Sequence, residues 1–217
     1  MMVSCARDWS SSSAITIAGG TPSLTELAKM LSETSLDTTP ASIQKDGLSR
    51  VRGGIEGDYT LKSREGETIK VHKAVVAPLW PFFKGLLDSD MKEASENEAE
   101  LKVPTSTLEV IVRYLYGQDL ELSFPDAANL VVAAQMYDLP ELLEIAIEKI
   151  TKTTIDLTEA VMAWRLGFEA KNPVVRKHCA GKVKSLMPTS DNFAEQIDDL
   201  SKEELQYLLH DISVSMK

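Results

Sequence analysis

Along this chain the spacing of hydrophobic positions changes from two to between three and four, and that change lays out its elements. From Asp58, Tyr59 and Leu61 alternate with polar neighbours, Arg64-Glu65-Gly66-Glu67 supplies a turn, and Ile69 and Val71 alternate again, which predicts a β-hairpin with one buried face. Between Lys73 and Leu87, the apolar Val75, Val76, Leu79, Phe82, Phe83, Leu86 and Leu87 predict short helices interrupted at Pro78 and Pro81. An acidic stretch, Asp88 to Glu100, leads to a short predicted strand at Leu101-Lys102-Val103, stopped by Pro104. Ser106 and Glu109 form a capping-box pattern ahead of Leu108, Ile111, Val112 and Leu115. Asp126 to Tyr137 is apolar almost all round, the signature of a helix at the centre of a bundle, and Pro140 opens the next helix.

A second helical group follows Thr151-Lys152-Thr153-Thr154. Its expected starts are Asp156 with Glu159, Asn172 with Pro173, and Ser201 with Glu204. At the other end, residues 1 to about 57 read differently. They are rich in Ser and Thr and poor in aromatics, so most of this arm is expected to be flexible. One helix stands out at about 22–33, where Leu24, Leu27 and Leu31 share a face behind Pro22, and Asp37 to Gly57 reads as a turn-rich tether. The expected division is therefore an arm over 1–57, a domain over 58–150 and a helical extension over 151–217.

Composition narrows the function. With 23 basic against 33 acidic residues in 217, the net charge is −10, which opposes direct nucleic-acid binding and anionic membranes. No window has the roughly 18 apolar residues of a spanning helix, and no leader pattern opens the chain. Cys5 and Cys179 make no disulfide framework, so a reducing compartment, cytoplasmic or nuclear, is expected. His72, His178 and His210 are scattered without zinc-ligand spacing, and no glycine-rich loop precedes a helix in a phosphate-binding arrangement. His178 and Cys179 are neighbours on a helix and diverge by about 100°, which separates a would-be base from its nucleophile. Catalysis, a cofactor and a metal are all unexpected.

Four stretches occur in register: Asp58-Tyr59-Thr60-Leu61, Val71-His72-Lys73-Ala74-Val75-Val76-Ala77, Pro81-Phe82-Phe83, and Val112-Arg113-Tyr114-Leu115-Tyr116-Gly117. Together they resemble the BTB/POZ domain family over roughly residues 58–150, with Trp80 where the family has a serine. Leu200-Ser201-Lys202-Glu203-Glu204-Leu205 resembles the helix start of the BACK extension that follows many such domains. The resemblance implies an α+β fold, a small sheet packed with a helical bundle, followed by a short all-α extension. It implies a non-enzymatic protein-interaction module, a homodimer, that bridges a cullin-3 type ubiquitin ligase scaffold to an unidentified substrate protein. The alternative is an oligomerisation hub or transcription-associated assembly protein without a ligase.

The same resemblance assigns residues. Met91 and Glu93, in Asp90-Met91-Lys92-Glu93, fit a hydrophobic-x-Glu cullin-binding motif, and an apolar anchor among acids suits a protein partner. Tyr137 and Leu139 resemble a second cullin-facing element, with core packing as the competing reading. Asp58, with Leu24, Leu27 and Leu31 of the N-terminal helix, would lie at the dimer interface, Asp58 serving folding first. His72 is expected to be a satisfied structural histidine. The acid-free basic run Lys171, Arg176, Lys177, Lys182 and Lys184 reads as a solvated helix face before it reads as a site for an acidic partner.

Overall fold

A computed structural model describes residues 40–189 and 193–214; the expected helix at 22–33, and with it Leu24, Leu27 and Leu31, lies outside the described residues. The chain from Pro40 onward forms one compact unit. It begins with α1 (Pro40–Gly54), where the sequence predicts a tether. Pro40 stands at the first turn, and Arg52 holds the other end by pairing with Glu109 at 2.6 Å and bonding Gln118. Leu48 packs against the core, so tertiary contacts offset the helix cost of Gly47, Gly53 and Gly54.

The hairpin is β1 (Tyr59–Lys62) and β2 (Thr68–Val71), antiparallel, with Tyr59 opposite Val71 and Leu61 opposite Ile69. Gly57 precedes it because a Cβ there would sit 2.7 Å from the Val71 backbone. A third strand, β3 (Glu98–Glu100), lies parallel to β1 and completes a sheet of order β2-β1-β3. The strand thus falls earlier than the predicted Leu101–Val103. Ala99 is the only apolar side chain in β3 and is too small to signal the alternation, while the buried Leu101 and Val103 lie just past it, Leu101 N still donating to the Lys62 carbonyl at 2.8 Å.

Two short helices, α2 (Lys73–Leu79) and α3 (Pro81–Leu87), divide at Trp80 just ahead of Pro81, as predicted, whereas Pro78 lies inside α2 and does not interrupt it. A single-turn helix, α4 (Lys92–Glu96), joins them to β3. Then come α5 (Thr105–Leu115), α6 (Phe124–Met136) and α7 (Pro140–Lys152). α5 starts at Thr105 without the predicted Ser106 capping box. Its cap arrives from the hairpin turn, where the Glu65 carboxylate accepts from Thr105 N at 2.7 Å and from the Thr105 hydroxyl at 3.0 Å. α6 is buried on most sides, as its all-round apolar sequence requires, and packs against both α7 and α8.

The extension comprises α8 (Leu157–Glu169), α9 (Pro173–Leu186), a turn of 3-10 helix, α10 (Phe193–Asp198) and α11 (Lys202–Val214). Its three predicted starts are all present. Asp156 and Glu159 exchange bonds of 2.8 and 3.0 Å, Asn172 accepts from Val174 N and Val175 N, and Ser201 and Glu204 form a second reciprocal box. Gly167 lets α8 and α9 touch, since a Cβ there would meet Val175 Cγ1 at 2.9 Å. One apolar core runs from Tyr59 in the sheet to Leu208 in α11. Among the described residues no helix is long and apolar enough to cross a membrane.

Candidate functional site

Met91 is an exposed methionine on an acidic background. It lies at the N-terminal edge of α4 in extended backbone, 52% exposed, with its N–H donating to Ser89 Oγ at 3.3 Å. Asp88, Asp90, Glu96, Glu98 and Glu100 around it are exposed and Glu93 is half-buried. Within the segment Lys92 is the one basic residue, paired to Glu96 across one helical turn, and Lys73 reaches it from outside by bonding Asn97. A flexible apolar side chain held out among carboxylates has the physical character of an adaptable contact for a protein surface.

This segment is held in place from beneath. Asn97 ends α4 in the left-handed region at φ 56°, which an Asn tolerates, and its carbonyl accepts from Thr60 N at 2.9 Å. Tyr59 Oη donates to the Glu93 carbonyl at 3.1 Å. Burial first, then the Glu93 and Glu98 carboxylates, push the Tyr59 phenol up to about 12, so the donor keeps its proton under ordinary conditions. Tyr59 meets Phe83 edge-on at 4.8 Å, Phe83 stacks on Trp80 at 5.9 Å, and Tyr137 stands edge-on to Phe82 at 5.0 Å.

Tyr137 therefore belongs to the same cluster that supports Met91, but as part of the floor. It is 6% exposed, its carbonyl accepts from Trp80 Nε1 at 2.7 Å, and its hydroxyl accepts from Lys102 N at 2.9 Å. Leu139 is 2% exposed. Neither side chain presents itself to a partner: the turn between α6 and α7 directs both into the core, the competing reading of that segment. Met91 is exposed and Glu93 half-buried beside it.

Asp58 is exposed and accepts from Lys73 N at 2.8 Å, capping α2 from outside the helix. His72 is satisfied at both ring nitrogens, Nδ1 lying 2.7 Å from Tyr116 Oη and Nε2 3.2 Å from the Ile55 carbonyl. On α9, burial and then Lys182 lower the pKa of His178, while burial pushes the Cys179 thiol up to about 12, the reverse of an activated nucleophile. Among the described residues no group of three or more His, Cys, Asp or Glu is placed to hold a metal.

Two features carry no signal in the sequence. Arg176 grips Asp211 through two bonds of 2.9 Å and lies over the Phe168 and Tyr207 rings, while Trp164 Nε1 donates to the same carboxylate at 3.0 Å. An open groove of about 570 Å³ runs beside it, lined by Asn129, Met162, Leu166, Phe168 and Glu204. Both form only where separate helices converge.

The BTB/POZ domain family model matches residues 52–154. Kelch-like protein 40a of Danio rerio is 28% identical over 51% of this chain and 18% of its own length. Kelch-like protein 23 of Homo sapiens is 31% identical over 38% of this chain and 15% of its own. BTB/POZ domain-containing protein 9 of Drosophila melanogaster is 24% identical over 53% of this chain and 21% of its own. The chain thus spans about a fifth or less of these curated relatives. Among solved structures, the BTB domain of zebrafish PATZ1 aligns at 18% identity and a TM-score of 0.43, over 62% of this chain and all of that one.

Proposed function

We propose that this chain, which carries a BTB/POZ domain over residues 52–154, is a protein-interaction module that bridges a cullin-3 type scaffold to a substrate protein through the Met91 segment. The observation that supports this most is Met91 itself, exposed at 52% at the edge of α4 while Tyr59 fixes the backbone of Glu93 behind it. A preformed loop spares the ordering cost of binding, so an apolar anchor there is used efficiently. In this reading Tyr137 and Leu139 act from below, by fixing Trp80 and the aromatic cluster, and Asp58 acts in folding by capping α2. A homodimer formed through the Leu24, Leu27 and Leu31 face, and a BACK-like role for the extension, belong to the same proposal.

The test is a calorimetric titration of the full chain against a cullin-3 N-terminal domain. Met91→Ala combined with Glu93→Ala is expected to weaken binding by at least about 2 kcal/mol, the loss typical of a central anchor. Equal affinity of wild type and variant, or no binding by the wild type, overturns the cullin assignment. In the second case an assembly role without a ligase takes its place.

A further inference from the structure

The expected solvated face of α9 gathers lysines without acids on one short stretch of chain. Some exposed lysines have acids of their own, Lys70 with Glu56, Lys92 with Glu96 and Lys152 with Glu148, and others, such as Lys84 and Lys102, stand singly without one among the described residues. Around α9, Arg176 is consumed by Asp211, but among the described residues no carboxylate pairs with Lys171, Lys177, Lys182 or Lys184. Val174, Lys177, Gly181 and Lys184 follow at spacings of three and four and so form one stripe, turned away from the buried Val175, Cys179, Ala180 and Val183. Val174 is 53% exposed, and the space above Gly181 is open, so a second backbone can approach the stripe closely.

The complementary surface is on the same molecule. Asp88 to Glu100 sets six acids against one lysine and offers the exposed Met91 as an apolar contact. Its last part, β3, pairs only with β1 and is an edge of the sheet, with Glu98 and Glu100 exposed. A stripe with two lysines and an exposed valine and an acidic segment with an exposed methionine match in sign and in character.

We propose that α9 of one copy docks the Asp88–Glu100 segment of a second copy. The two patches differ, so the contact is head-to-tail: each copy leaves one free patch of each sign, and assemblies grow with concentration instead of stopping at two. Because the pairs are at the surface, the contact is sensitive to salt.

Sedimentation velocity of the full chain across concentrations, at about 50 and about 500 mM salt, tests this, since tenfold ionic strength shortens the screening length about threefold. The weight-average mass is expected to rise past that of a dimer at low salt and to fall at high salt. Lys177→Glu with Lys184→Glu, and separately Glu98→Lys with Glu100→Lys, should each lower the association constant at least about tenfold. Mixing the two variants sets the unaltered α9 of one against the unaltered Asp88–Glu100 segment of the other, so the mixture should associate again. Far-ultraviolet circular dichroism confirms that each variant is folded. A mass that stops at a dimer and ignores salt, or a mixture of folded variants that fails to associate, overturns the proposal. The wild-type salt dependence decides the matter if either variant does not fold.

Discussion

Tyr59 ties the fold to the candidate site with one hydroxyl, and its titration can be followed. The phenol is raised from an ordinary 10.0 to about 12, by burial first and then by the Glu93 and Glu98 carboxylates. The folded state therefore holds this proton more tightly than the unfolded chain does. The sign follows: its contribution to stability is complete below about pH 10 and is lost as the pH rises toward 12. Cys179, raised from 9.0 to about 12 by burial, loses its share in the same direction but begins lower. Urea unfolding as a function of pH should show a steeper alkaline decline for wild type than for Tyr59→Phe between pH 10 and 12, the difference isolating Tyr59 from Cys179. Parallel curves would show that the Tyr59 proton is not coupled to folding. At this scale the sequence was informative about type and uninformative about partners. His72 was legible as structural, yet its partner Tyr116 lies 44 positions away and became visible only when α5 was laid against the start of α2. Tyr137 and Leu139 admit two readings in the sequence because a turn residue between two apolar helices faces either way until packing decides.

Among the elements, α11 depends on a polar contact. Asp211 receives Arg176 and Trp164 at the meeting of α8, α9 and α11, its side chain 9% exposed and that of Arg176 20%. Asp211→Ala leaves a guanidinium between two rings without its counter-ion and an indole N–H without its acceptor. The expected cost is about 3–5 kcal/mol in urea unfolding, with amide exchange in α11 accelerated ahead of the rest. Adding Arg176→Met removes the stranded charge and should recover most of that loss, since replacing both partners of a buried pair by apolar groups is often close to neutral. If the double variant is no more stable than the single one, the charge is not the source of the cost. The helix starts were legible here because a cap is local: Asp156, Asn172 and Ser201 each bond within three residues. α1 and the cap of α5 were not, because Arg52 and Glu65 act across 57 and 40 positions.

At the scale of the whole molecule, the expected division at residue 150 does not interrupt the core. α6 packs on α7, at the end of the family match, and on α8, beyond it, and its buried Leu130, Val131 and Ala134 have no solvent-facing option on either side. Ile150, Ile155 and Trp164 continue the same apolar cluster. A chain cut after Thr154 keeps every motif of the domain yet uncovers the face of α6 that α8 occupies. Burial of each large apolar side chain contributes about 1.5–3 kcal/mol, and a small domain has only about 5–15 kcal/mol in total, so losing several such contacts consumes a large share of the stability. The truncated chain is therefore expected to unfold at clearly lower urea and to bind a hydrophobic dye that the full chain excludes, whereas the full chain unfolds in one transition with a single slope. Two separate transitions in the full chain, with the first matching loss of α8 to α11, would show instead that the extension is an independent unit that merely rests on the domain.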